Sequence, residues 1–401
     1  MKFAPSAHLT YCTNIHPGEH WSEVMKSLQD YTIPLKNKLC PNEPFGVGLR
    51  LSNIASEEIL TDAKLEAFKD WLGHEDLYIF TMNGFPYGGF HHTKVKDRVH
   101  HPDWSTDERC QYTCRLFDIL AYLIPDDMDG GISTSPISYR HWHEDSEKLA
   151  TVWEKSCTNL AKVAAHLFEK KHEQGVLLHL DIEPEPDGLL ENTEEVIEFY
   201  EKRLIPIGSA YLEKSLGVSR TEATDILYEH IQICYDVCHF AVVYESPKYT
   251  FHKWAEAGIR IGKVQISAAL KAAFPAIVGN RKDIVTAFEQ LNESTYLHQV
   301  VASKADGSFQ HFTDLPTALS NILDPETIEW RTHFHVPIFV DSYDHLSSTR
   351  STIEEVLQDH LGVTNHWEVE TYTWEVLPKS IRFGLQESIE RELRWVLEKL
   401  A

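Results

Sequence analysis

Val176-Leu-Leu-His-Leu-Asp-Ile-Glu-Pro-Glu-Pro-Asp187 is the stretch whose reading decides the fold. Side chains on a strand alternate between two faces, so Leu178, Leu180 and Ile182 share one face while His179, Asp181 and Glu183 share the other. Proline has no N–H for a ladder, so Glu-Pro-Glu-Pro stops the strand near Glu183. Glu183 therefore sits at a strand's carboxyl end, where parallel α/β architectures gather their reactive groups. The competing reading is a solvated acidic loop, in which Glu185, Asp187 and Glu191 belong to the chain's general negative charge.

On both sides of this stretch, strand and helix patterns alternate. Strands are predicted at His8–Asn14, Phe45–Leu51, Leu77–Met82 and Gly130–Ile137, then at Ile231–His239, Ile259–Ser267 and His366–Val376. Helices fall between them: Glu19 to Ile33 closed by Pro34, Asp62–Leu72, one opened by Ser105-Thr-Asp-Glu108, and a long one from Asp145 with Gly175 beyond its end. Asn192-Thr-Glu-Glu195 caps a further helix, and after a linker another covers Thr221–His230. The rhythm breaks between about 270 and 365, with a helix near Lys282–Leu291, a hairpin around Ala305-Asp-Gly307, an extended Thr332–Val340 and a helix near Ser351–Leu361. A helix over Leu385–Leu400 ends the chain. About eight strand–helix alternations predict an α/β fold, a (β/α)8 barrel, as one domain over 1–401, with residues 270–340 as a large insertion before the last strand on the barrel's upper face.

Composition narrows the function. The 401 residues carry a net charge of −24, which argues against a nucleic-acid surface, since such surfaces are basic. A hydrophobic content of 42% describes a globular protein with a sizeable core. Seven cysteines without paired spacing read as reduced thiols. No signal-peptide or membrane-spanning run is visible, so a cytoplasmic location is expected.

Glu183, Asp236, His239, Gln265 and Glu375 all fall near the carboxyl ends of predicted strands five to eight, so a barrel would bring them to one mouth. Carboxylates with an imidazole suit a divalent metal such as Mn²⁺, Mg²⁺, Zn²⁺ or Co²⁺. Asp236-x-x-His239 can turn its histidine over the rim, and His333-x-His335 has the period of two that points both rings at one centre. The structural alternatives are a capping aspartate, a core histidine and surface strand residues. Glu370 competes with Glu375 on the last strand, and Glu375 is preferred for its carboxyl-end position. The loop between Asn83 and Trp104 holds His91, His92, His100 and His101, which read as solvated. Cys234 and Cys238 read as packing.

Glu183, Asp236-x-x-His239, a polar residue on strand seven and Glu375 resemble the pattern of the xylose-isomerase-like barrel superfamily, which includes sugar isomerases, ketose epimerases and endonuclease-type barrels. Met82-Asn-Gly-Phe-Pro-Tyr-Gly-Gly-Phe90, His92-Thr-Lys-Val-Lys96, Pro102-Asp-Trp104, Ser133-Thr-Ser-Pro-Ile-Ser-Tyr139, His179-Leu-Asp-Ile-Glu-Pro-Glu-Pro186, His333-Phe-His-Val-Pro-Ile-Phe339 and Thr371-Tyr-Thr-Trp-Glu-Val-Leu-Pro378 resemble the EboE family of metabolite traffic proteins, encoded in bacterial gene clusters linked to secondary metabolites. The resemblance spans nearly the whole chain. It departs at Gln265, where related epimerases and endonuclease-type barrels commonly carry a metal-binding histidine; His333 or His335 can replace it.

The resemblance implies a metal-dependent isomerase or epimerase of a small metabolite. Glu183 and Glu375 would then move the proton, Asp236, His239 and Gln265 would complete the ligand set, and Lys94 or Lys96 would hold an anionic substrate. Two alternatives are a non-catalytic barrel that delivers a metabolite to a membrane protein of its pathway, and a multi-metal phosphodiester hydrolase.

Overall fold

The computed structural model describes residues 1–4, 6–89, 91, 95–373 and 384–400. Strands β1 (His8–Tyr11), β2 (Phe45–Arg50), β3 (Leu77–Asn83), β4 (Gly130–Thr134), β5 (Leu178–Ile182), β6 (Ile231–Asp236) and β7 (Ile261–Ile266) run in chain order. A second sheet then interrupts them with β8 (Ala268–Ala273), β9 (Val300–Lys304), β10 (Phe309–Phe312), β11 (Thr327–Val336), β12 (Ser342–Tyr343) and β13 (Leu346–Ser348), before β14 (His366–Val369) completes the first set.

The first sheet is parallel throughout, in the order β1-β14-β7-β6-β5-β4-β3-β2. A bridge between Cys12 and Gly48 and the hydroxyl of Thr10 close its seam. Thr10 Oγ1 donates to Gly46 O at 2.8 Å and accepts from Gly48 N at 3.0 Å, so one side chain substitutes for ladder bonds. With helices alternating between the strands, this is a (β/α)8, or TIM, barrel. Among the described residues no helix is long and apolar enough to cross a membrane.

The alternation in β5 appears as its sequence implies. Leu178, Leu180 and Ile182 are fully buried in the hydrophobic layer beneath the helices. That layer includes Leu160, Val163, Ala164 and Leu167 of the helix Ser146–Gln174, which Asp145 caps and which ends at Gly175 with φ 75°. His179 and Asp181 point inward, joined by a 2.6 Å hydrogen bond.

The barrel interior is unusually polar. Lys263 Nζ lies 2.6 Å from Glu368 Oε2 and also donates to Ser133 Oγ and Met82 O. Burial pulls the Lys263 ammonium down, but the Glu368 carboxylate outweighs it and holds the group above its usual range. Space for these groups comes from glycine. A Cβ on Gly48 would stand 1.8 Å from Glu368 Oε1, and one on Gly262 would stand 1.9 Å from Asp181 Oδ1.

Several elements differ from the sequence reading. Pro34 does not end its helix. A π turn at Leu28–Thr32 lets Ile33 N bond Leu28 O, and the helix continues as Ile33–Leu39 with Pro34 in its first turn, where its missing N–H does no harm. The supposed linker before Thr221 repeats this device, with a π turn at Tyr200–Leu204 leading into Ile205–Leu216 around Pro206. The interruption between β7 and β14 is an antiparallel sheet in the order β10-β9-β11-β8-β13-β12. It spans 268–348, wider than 270–340, because only Ser267 separates β7 from β8 and because Ala268-Ala-Leu-Lys-Ala-Ala273 has no alternation to reveal it. β14 stops at Val369, well short of Val376.

The C-terminal helix Leu385–Leu400 docks through the buried Glu392, which accepts from Thr371 Oγ1 at 2.7 Å and Ile338 N at 3.3 Å. Burial lifts this carboxyl from 4.5 to about 7, against the pull of the two donors. The unfolded chain loses this proton near pH 4.5 and the folded chain near 7. The group therefore costs nothing below pH 4.5, and its penalty grows to about 3 kcal/mol by pH 7 and then levels off. Glu392→Gln is expected to lose that part of the pH dependence and to be the more stable protein at pH 8, read by urea unfolding at pH 5 and 8. Identical pH profiles for the two proteins would contradict this origin.

Candidate metal centre

Three strand ends supply the carboxylates. Glu183 follows β5 directly, and its N–H bonds Thr134 O. Asp236 ends β6 and caps the short helix Val237–Val242, its Oδ1 accepting from His239 N at 3.0 Å and from Ser267 Oγ at 2.7 Å. This cap is what folds His239 back over the rim. Glu370 follows β14, with Oε1 held by Asn14 Nδ2 at 2.6 Å and Asn83 Nδ2 at 3.0 Å. Oxygens of Glu183, Asp236 and Glu370 lie within 4.8 Å of one another.

Three imidazoles complete the cluster, two of them carried in from β11. His239 Nδ1 faces Pro184 O at 3.0 Å, His335 Nδ1 faces Glu370 O at 3.0 Å, and His333 Nδ1 faces Gln299 Oε1 at 2.8 Å. Gln299 donates its own amide to Pro186 O, so its oxygen is an acceptor. Each acceptor fixes its ring with the proton on Nδ1, leaving every Nε2 as a lone pair. These lone pairs converge: His239 Nε2 and His333 Nε2 are 3.1 Å apart, and His335 Nε2 stands 4.0 Å from Asp236 Oδ2. Tyr372 Oη approaches His333 Nε2 at 3.4 Å. Asp236 Oδ2, Glu183 Oε2 and His335 Nε2 are buried with no hydrogen-bond partner among the described residues.

The electrostatics agree with this geometry. Burial, then Glu370 and Asp236, push the Glu183 carboxyl well above its usual range; burial, then Asp236 and Glu368, do the same to Glu370. Burial, then His239 and His335, hold His333 well below its usual value. Burial lowers His335 to about 4, although Asp236 pulls it the other way. Crowded buried carboxylates and imidazoles held neutral fit a divalent cation, whose charge offsets the carboxylate repulsion and whose ligation needs the histidines unprotonated. The Nδ1–H contacts to carbonyls are the outer contacts that ligating histidines use. Glu183, Asp236 and Glu370 form a hard oxygen set, whereas Asp236, His239 and His335 form a mixed set suited to zinc, and Asp236 belongs to both. Glu185 with His239 and His333 makes a third group of the same size.

The cluster lies beneath a pocket whose wall includes Phe85, Val99, Lys96, Tyr296 and Tyr372. Glu183, Asp236, His239, His333 and His335 are brought together here. Gln265 pairs with Asp236 across the β6–β7 ladder, but its buried side chain has Oε1 accepting from the Cys234 thiol at 3.3 Å and Nε2 without a partner among the described residues. Glu375 and Lys94 lie outside the described residues, and Glu370 occupies the β14 position in the cluster. Lys96 borders the pocket but is paired with Asp314 at 2.7 Å. His100, expected in solvent, is buried, with Nε2 3.0 Å from Glu185 Oε1. His101 stacks on Trp142, and His91 bonds Asn14 O; His92 lies outside the described residues. Asn14, Asn83, Gln299 and Ser267, which position the candidate residues, carry no sequence signal of their own, since each is a single uncharged polar side chain in a turn, or at or next to a strand end.

A (β/α)8 barrel with a buried carboxylate–imidazole centre at its carboxyl end is thus the class defined by fold and site. No known family matches the chain by sequence, and no curated protein does. Among solved structures it is similar to a xylose isomerase-like TIM barrel protein from Mycobacterium smegmatis in complex with magnesium, at 10% identity and TM-score 0.47 over 99% of this chain and 96% of that one. It is also similar to a D-tagatose 3-epimerase-like protein, at 11% identity and TM-score 0.45 over 98% and 100%. A third similar structure is the IolI protein with a bound zinc atom, at 12% identity and TM-score 0.45 over 98% and 99%.

Proposed function

We propose that this protein is a metal-dependent enzyme that isomerises or epimerises a small polyhydroxylated or carbonyl metabolite. The observation that carries the reading is that three strand-end carboxylates and three imidazoles form overlapping ligand-sized groups, linked through Asp236 and His239, beneath a pocket at the barrel mouth. A bound divalent cation supplies polarisation of substrate oxygens and acidifies the adjacent C–H. Glu183 moves the proton: its Oε2 is buried at the cluster with no hydrogen-bond partner among the described residues. Glu370, held by Asn14 and Asn83, is the fixed carboxylate opposite, in the role the sequence assigns to Glu375. Its resemblance to the EboE family supports our proposal that this chemistry serves bacterial secondary metabolism in the cytoplasm, with a membrane protein of the same pathway as the proposed partner and no nucleic acid expected.

The histidines favour a second reading. Asp236–His239–His335 and Glu185–His239–His333 beside the carboxylate set provide donors for more than one cation, as multi-metal phosphodiester hydrolases require.

Elemental mass spectrometry on protein purified without chelator is expected to find at least one equivalent of metal. The loaded protein is then expected to incorporate deuterium from D2O into a sugar or polyol. Phosphate-ester hydrolysis without deuterium incorporation would favour the second reading. Absence of metal even after addition of Mn²⁺, Mg²⁺ and Zn²⁺ would sink both and leave a metabolite carrier.

A further inference from the structure

At the opposite, amino-terminal end of the barrel, Asp129 in the turn before β4, His179 at the start of β5 and His366 at the start of β14 place one ligating atom each within 4.8 Å of one another. His366 Nε2 is 3.3 Å from Asp129 Oδ1, and His179 Nε2 is 3.8 Å from Asp129 Oδ2. His179 Nδ1 lies 2.6 Å from Asp181 Oδ1, which fixes the ring with Nε2 turned toward Asp129. An imidazole nitrogen and a carboxylate oxygen then face each other across 3.8 Å, too long for a hydrogen bond and close to the separation of two ligands on a tetrahedral metal, each about 2.1 Å from it. His366 Nδ1 has no partner among the described residues, so that ring too is fixed through Nε2.

Both histidines are 2% exposed while Asp129 is 35% exposed, so the group is rigid on the barrel side and reachable from outside. Two surface clefts meet at Asp129. One carries His179 and Thr364; the other carries His366 with Asp126 and Asp127, whose charges favour cation entry. The hydrogen bond from His179 to Asp181 is the carboxylate–histidine pairing that orients and strengthens a metal-ligating ring. Nitrogen, nitrogen and oxygen donors with the remaining positions open to water suit Zn²⁺ better than Mg²⁺ or Ca²⁺.

We propose that Asp129, His179 and His366 form a second cation site, for zinc, on the floor of the barrel. It is independent of the mouth centre and its role is structural, tying together the entrances of β4, β5 and β14. The amino-terminal face of such barrels serves stability, and a metal here ties β5 to β14, strands not adjacent in the sheet.

The test is zinc stoichiometry and zinc-dependent melting of the whole protein as wild type, Asp129→Ala, His366→Ala and Asp236→Asn, the last altering only the mouth. Wild type and Asp236→Asn are expected to keep one zinc that Asp129→Ala and His366→Ala each lose. Added zinc should raise Tm in the first pair and not in the second. Asp129 lies in a half-exposed turn, so its alanine variant keeps the test informative if His366→Ala fails to fold. Unchanged zinc content and the same zinc-dependent Tm in Asp129→Ala would overturn the proposal and assign the cluster to a protonated His179 paired with Asp129. Loss of mouth metal in Asp236→Asn alone bears on the mouth centre and leaves the floor site standing.

Discussion

Asp236→Asn is expected to fold like the parent protein, to lose at least about 100-fold in metal affinity at the barrel mouth, and to lose catalysed proton exchange by at least a similar factor. Asp236 has two duties on its two oxygens. Oδ1 accepts from His239 N and Ser267 Oγ, which shapes the turn out of β6. Oδ2 is buried, unpartnered, and common to the carboxylate set and the histidine set. An asparagine Oδ1 keeps the two structural bonds, while its NH2 group puts donors where a cation needs an anion. Asp236→Ala removes both duties and is expected to melt lower as well, by about 1 kcal/mol for the lost cap. Elemental analysis, metal titration and thermal unfolding of the two variants separate the effects. Parental metal affinity in Asp236→Asn would show that these residues are not the metal centre.

Much of this arrangement is written in local sequence pattern. The period-two alternation of Leu178–Ile182 and the proline stop after Glu183 fix one ligand's position. Asp236-x-x-His239 fixes two more, because a capping carboxylate and the residue three positions on must meet. The last strand was harder to read. His366-Trp-Glu-Val-Glu-Thr-Tyr-Thr-Trp-Glu-Val376 is uniformly β-prone, so propensity extends the strand to Val376 and shifts the expected carboxyl end from Glu370 to Glu375. The ladder actually stops at Val369, where pairing with β7 runs out, a tertiary limit that no local pattern carries. Gln265 lies beside Asp236 in the β6–β7 ladder, but its side chain turns to the Cys234 thiol, a choice that the sequence does not carry. The convergence of Asp129, His179 and His366 joins residues up to 237 positions apart and depends on the barrel's closure.

The interior ion pair is where a single substitution should damage the fold most. Lys263 and Glu368 are both fully buried, on adjacent strands β7 and β14, at 2.6 Å. Lys263→Met keeps the length of the stem but strands the Glu368 carboxylate near Glu370, and it is expected to cost about 3–5 kcal/mol. Glu368→Gln leaves an uncompensated ammonium among Ser133 Oγ and Met82 O and is expected to cost a similar amount. In Lys263→Met/Glu368→Gln neither charge is left alone, so the double variant should be more stable than either single one, with a coupling energy of several kcal/mol in a urea-unfolding cycle. The tight space makes the result diagnostic. Glu368 is fully buried and sits in the space that glycine leaves at position 48, where a Cβ would come within 1.8 Å of its Oε1, so it cannot reach water without opening the barrel wall. A nearly additive cycle would mean that the pair relaxes by taking in solvent. In that case the polar interior would not be the rigid frame that holds Glu370 beside Glu183 and Asp236.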